Sequence, residues 1–173
     1  MRGGQGRHPG VLNMKMELIQ PFINAADAVL AQNLNCQTRL GHFAMEPSAY
    51  HSKGVAAVVK VVGDIEGRII FDVEPATATR MASVMTGTER QESEELVRET
   101  ICELANQVIG NAITTLNDQG FHFKVHPPQL HNGEGPKSNE DTEAMIMCFD
   151  TDSGKVFMNI AMHYKRRRRG EQI

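Results

Sequence analysis

The chain has 173 residues, 40% of them hydrophobic and 23% charged, which suits one globular domain with a self-sustaining core. Its formal net charge of −3 excludes a general polyanion binder, and no apolar run approaches the roughly 18 residues of a membrane span. Three widely spaced cysteines, Cys36, Cys102 and Cys148, make no CxxC pair, and no secretory leader pattern is visible, so the reading is a reducing, cytoplasmic compartment.

In chain order, residues 1–15 are Gly-rich and polar and are expected to be a disordered extension. The domain is expected over residues 16–164. Leu18, Phe22, Ala25, Ala26, Val29 and Leu34 recur at helical spacing, with Pro21 tolerable in a first turn, and this helix should end near residues 33–35. Residues 36–44 form a candidate strand, and 45–54, with Pro47 and Gly54, a loop. Residues 55–62 and 68–73 are β-branched runs joined by Gly63-Asp64-Ile65-Glu66-Gly67, a hairpin whose first strand is apolar enough to lie mid-sheet. Pro75 opens a short helix in which Ala78, Met81, Ala82 and Met85 share a face, and Gly87 ends it.

The longest helical pattern follows, over residues 93–117. Ser93 is a good N-cap, and Glu94 and Glu95 place negative charge in the first turn. At about 100° per residue, Val97, Ile101, Ala105, Val108, Ile109, Ala112 and Leu116 fall in one arc beside Leu104. Opposite lie Glu99, Glu103, Asn106 and Gly110. Residues 121–125 alternate as a strand that Pro127 and Pro128 end, and residues 130–142 read as a polar loop. Residues 143–150 and 156–163 form a second hairpin. The order α-β-β-β-α-α-β-β-β predicts an α+β fold: a mostly antiparallel six-stranded sheet with helices packed on one face. A repeated helix-then-strands plan is suggested, but the first helix offers only Glu17 and Gln20 at its start and no Glu-x-x-Asn. Residues 165–173, with Lys165 and four arginines, are expected to be a basic disordered tail. A solvated terminus is preferred there over a nucleic-acid contact, since no aromatic residue is interleaved.

No Walker loop, GxGxxG or HExxH pattern is present. His122 and His126 lie on one side of a strand pattern near His131, but no further convergent ligand can be named, so no metal site is expected. Cys102 lacks a base partner, and neighbouring Glu99 and Glu103 would raise its pKa, which makes it a packing residue. Glu103-Leu104-Ala105-Asn106 is more informative. Alone it is a polar helix face that chance produces readily. Here it extends to ELANQVIGNA, with Gly110 in a helix interior where glycine costs about 1 kcal/mol relative to alanine. That cost points to close approach of another molecule.

These segments in this order, VVGDIEGRIIFDV, ATRMASVMTG, ELANQVIGNA and GKVFMNIAM, resemble the CheC/CheX/FliY family of chemotaxis phosphatases, CheX most of all, over residues 16–164. The resemblance implies hydrolysis of the aspartyl phosphate of a CheY-like response regulator. In that scheme Glu103 and Asn106 are the catalytic pair. Glu103 docks on the regulator's active-site lysine and Asn106 orients the attacking water, while Glu99 and Gly110 are candidate partner-binding positions. The chain needs no cofactor of its own, and Mg²⁺ belongs to the regulator's active site. A single motif copy matches the CheX pattern, for which a homodimer with joined sheets is expected. The alternative is a non-catalytic module that binds a response regulator or another partner through the same helix face.

Overall fold

The runs richest in β-branched residues build the sheet. The computed structural model describes residues 9–47, 51–87, 93–131 and 143–165. The elements run α1 (Pro9–Leu34), β1 (Arg39–Pro47), β2 (Val55–Gly63), β3 (Ile65–Val73), α2 (Pro75–Thr86), α3 (Glu94–Asp118), β4 (Phe123–Val125), β5 (Gln129–His131), β6 (Glu143–Thr151) and β7 (Gly154–Tyr164). Strand order is β1-β6-β7-β3-β2-β4, with β5 also paired to β2, and the pairings are antiparallel.

Alternation along the strands separates two faces. Ala57, Val59 and Val61 of β2 and Ile69, Phe71 and Val73 of β3 join the buried residues of α1, α2 and α3 in the main core. The intervening Ala56, Val58 and Ile70 form a separate small cluster on the other face. There Arg68 also donates to Asn159 Oδ1 at 2.7 Å. The architecture is therefore the expected α+β layer with its helices on one sheet face. Among the described residues, no helix is long and apolar enough to cross a membrane.

Several boundaries differ from expectation. The sheet has seven strands, because Gln129–His131, at the start of the expected loop, pair with Val58, Ala57 and Ala56. Ile65–Gly67, expected as turn, are strand because they pair with Tyr164, His163 and Met162 of β7. β1 begins at Arg39 rather than near residue 36, since α1 runs to Leu34, Asn35 takes a left-handed φ of 50°, and Thr38 hydrogen-bonds back to Asp27. At the other end α1 starts at Pro9, so residues 9–15 are helical, while residues 1–8 lie outside the described set. Pro9 suits a first turn because the amide it lacks has no helical partner there. Pro21 consequently sits inside the helix and removes one backbone bond, a defect of about 3 kcal/mol in a helix interior. Burial of Phe22, Ala26 and Leu30, each 0% exposed, offsets it. Of the basic tail, Lys165 is described, its amide donating to Asp64 O at 2.9 Å; residues 166–173 lie outside the described set.

α1 and α3 are antiparallel neighbours. Asn33, near the end of α1, bonds to Gln107 of α3 at 2.9 Å, whereas Gln20 and Asn24 share a groove with Thr115 and Gln119 near the end of α3.

Candidate functional site on the outer face of helix α3

α3 is fixed at both ends. The Ser93 hydroxyl accepts from the Leu96 amide at 3.2 Å, with Glu94 and Glu95 in the positive first turn. At the far end the Gln119 and Gly120 amides donate back to carbonyls of the last turn. Between these caps the apolar arc is buried: Ile101, Leu104, Ala105, Val108, Ala112 and Leu116 are all 0% exposed. α2 packs alongside, from Pro75 to the left-handed Gly87. A helix held this way is a stiff support for whatever it presents outward.

Glu99, Glu103, Asn106 and Gly110 are all exposed, in one stripe along α3. The structure thus brings all four sequence-predicted positions onto one face. Asn106 and Glu103 differ in their bonding. The Asn106 carboxamide has no hydrogen-bond partner among the described residues. Glu103 Oε1 accepts from Gln107 Nε2 at 3.5 Å, and Gln107 Oε1 in turn accepts from Asn33 Nδ2 at 2.9 Å. Among the described residues, an added Cβ at Gly110 would meet nothing within 4 Å. Packing within the chain therefore does not demand glycine there, and the open space faces outward.

Glu99 is exposed and makes no ion pair among the described residues; the nearby Arg98 pairs instead with Glu94 at 3.1 Å. Burial, and second the Glu99 carboxylate, push the Cys102 thiol above its usual range. That is the opposite of an activated nucleophile. His122 and His126 are exposed, and no group of three or more His, Cys, Asp or Glu side chains is gathered to hold a metal ion among the described residues. Among the described residues, cavities lie against the β1–β6 edge and between α1 and the end of α3, and neither is lined by Glu103 or Asn106. The feature is a projecting ridge. Such a surface can enter another molecule's site but cannot enclose a small substrate.

Sequence reasoning missed Gln107 and Asn33. Gln107 had a legible signal, since it stands four residues after Glu103 on a helix. Asn33 had none, because its role depends on how α1 packs against α3.

Helices over one face of an antiparallel sheet define a fold class with solved examples. The crystal structure of a CheC-like superfamily protein from Shewanella sp. PV-4 has a TM-score of 0.74 at 22% identity, covering 85% of this chain and 97% of that one. The chemotaxis protein CheX from Desulfovibrio desulfuricans has a TM-score of 0.73 at 20% identity, covering 86% and 99%. At these identities the likeness is one of fold. A chain of the CheX–CheY–BeF3–Mg complex from Borrelia burgdorferi matches at 33% identity with a TM-score of 0.70, covering 84% of this chain and 97% of that one. Residues 55–152, more than half of the sequence, match the family model described as chemotaxis phosphatase CheX. The chain belongs to the CheX family. It is 31% identical over 84 residues to the CheY-P phosphatase CheX of Thermotoga maritima, a match spanning 48% of this chain and 54% of that protein, about half the length of each.

Proposed function

We propose that this chain is a response-regulator phosphatase that hydrolyses the aspartyl phosphate of a CheY-like protein with the outer face of α3. The observation that carries the reading is a carboxylate and an unbonded carboxamide, Glu103 and Asn106, presented together on a rigid, solvent-facing helix. Membership of the CheX family supports it. So do the phosphatase name of the Thermotoga relative and the CheY partner in the Borrelia complex.

The chemistry asks little of the helper. An aspartyl phosphate is already reactive, so hydrolysis needs positioning and charge stabilisation rather than a new nucleophile. A carboxamide both donates and accepts, so Asn106 can hold one water near the phosphorus, in line with the leaving carboxylate. Glu103, one turn away, docks on the regulator's lysine and sets the register of the encounter. Gly110 gives clearance and Glu99 lies beside the contact. The phosphoryl group and its Mg²⁺ belong to the regulator. This chain's own residues supply docking, water orientation and the rigidity of the support.

A cytoplasmic homodimer completes the reading. β1 is an edge strand, with Leu40, Phe43 and Met45 exposed at 40%, 38% and 36%. An open edge bearing apolar side chains suits strand pairing with a second copy.

The test is turnover. Phosphorylated CheY-like regulators from the same genome are mixed with the protein at catalytic amounts and phosphate release is followed. The expected result is many phosphates released per protein. Release no faster than the regulator's own rate, with complex formation stopping at one regulator per site, would establish the binding module instead.

A further inference from the structure

We infer that Gln107 and Asn33 are positioning residues: a polarised amide relay that holds Glu103 in one orientation and keeps it off Asn106. The inference rests on the phosphatase reading of the α3 face.

The direction of the relay follows from donor and acceptor chemistry. An ionised carboxylate only accepts, so Gln107 must turn its NH₂ toward Glu103 and its oxygen the other way. That oxygen, Gln107 Oε1, meets Asn33 Nδ2 at 2.9 Å. The same Asn33 nitrogen donates at 2.8 Å to the Val29 carbonyl, which also only accepts. Flipping either amide would set oxygen against oxygen at one of these contacts. The network therefore has one self-consistent arrangement: donation runs outward from the Asn33 amide nitrogen, to the Val29 carbonyl on α1 and through Gln107 to the carboxylate on α3.

The relay decides between two neighbours. On a helix Glu103 can reach the residue three positions on, Asn106, or four positions on, Gln107. If it bonded Asn106, it would occupy the amide group needed for water and turn its own charge from the partner. Gln107 is half-buried and anchored on α1, so it draws the exposed Glu103 to its side. Asn106 keeps both of its hydrogen-bonding ends. Preorganisation of this kind lowers the ordering needed on docking.

Two arms test the inference. In the unbound protein, side-chain amide NMR reads the relay whatever the function: Glu103→Ala should shift the Gln107 NH₂ resonances, and Asn33→Asp, which reverses the anchoring group, should shift them too. Unmoved Gln107 resonances in both variants overturn the relay. In the turnover assay Gln107→Ala should raise KM for the phosphorylated regulator about fivefold, with kcat within about twofold of the parent, because docking on the regulator's lysine draws Glu103 off Asn106 once the complex has formed. Combined with Glu103→Ala it should add no further loss, because the relay acts only through Glu103. An unchanged KM overturns the positioning role. So does a Gln107→Ala loss that persists without Glu103, which would mark a merely structural part. If the parent protein fails to speed dephosphorylation, the phosphatase reading falls, and the NMR arm still decides the relay.

Discussion

α1 and α3 lie side by side on one sheet face, and each buries an apolar stripe, yet they use their polar side chains differently. On α1 several amides and a carboxylate are bonded within the chain. Gln20 donates to Asn24 at 2.9 Å, Asp27 accepts from Thr38, and Asn33 bonds both Val29 and Gln107. On α3 the outward Asn106 has no partner among the described residues, and Gly110 leaves its surround open. A satisfied amide serves the chain that carries it; an exposed, unclaimed amide adds nothing to stability and is available to another molecule. Two helices of similar length and packing thus separate into a structural and a presenting element.

Mutations can break or sharpen that contrast. The largest effect is expected from Asn106→Ala, which should cut accelerated dephosphorylation by a factor on the order of 100. Its unfolding free energy should move by no more than about 0.5 kcal/mol, because the side chain is exposed and unbonded. Stopped-flow phosphate release and denaturant titration check the two halves. Next comes Glu103→Lys, which sets like charges together at the docking point; KM should rise at least about tenfold. A rise that high salt abolishes equally in parent and variant would show a remote, screened charge instead of a docked one. Gly110→Ala should separate the two qualities in one variant. The free protein gains about 1 kcal/mol of stability from better helix propensity, while regulator binding weakens as the new methyl fills the clearance. Calorimetry of the free and mixed proteins reads both. Smallest is Asn24→Ala on α1, expected to leave turnover unchanged and stability within about 0.5 kcal/mol. A marked loss of activity there would mean that α1 also contacts the partner.

Legibility followed the range of the forces involved. The α3 arc, the Ser93 cap and the Gly87 stop are set by residues within a turn or two of each other, and the structure has them where the periodicity puts them. β5 is three residues after Pro127 and Pro128 whose strand character comes from lying along β2, and no local alternation announces that. Ile65–Gly67 look like turn residues until β7 supplies partners. The early start of α1 was hidden by Gly10 and Asn13, which have little helix propensity of their own. At the site, the stripe from Glu99 to Gly110 was legible as geometry on a helical wheel. The division of roles within it came from the family resemblance. The Asn33 anchor belongs to tertiary structure, since 74 residues separate it from Gln107.

Gly67 carries a consequence for assembly of the fold. Its φ is 143°, and a Cβ there would come within 1.9 Å of the Ala161 carbonyl oxygen on β7. β3 and β7 can therefore pair closely only when the one residue without a side chain lies beneath that carbonyl. A slip by one residue would bring Glu66 or Arg68 into the same place and turn every side chain of β3 to the opposite face. The glycine acts as a keyway that admits a single alignment. Because Ile69, Phe71 and Val73 form part of the core shared with α3, it also decides that the helix has a floor to rest on.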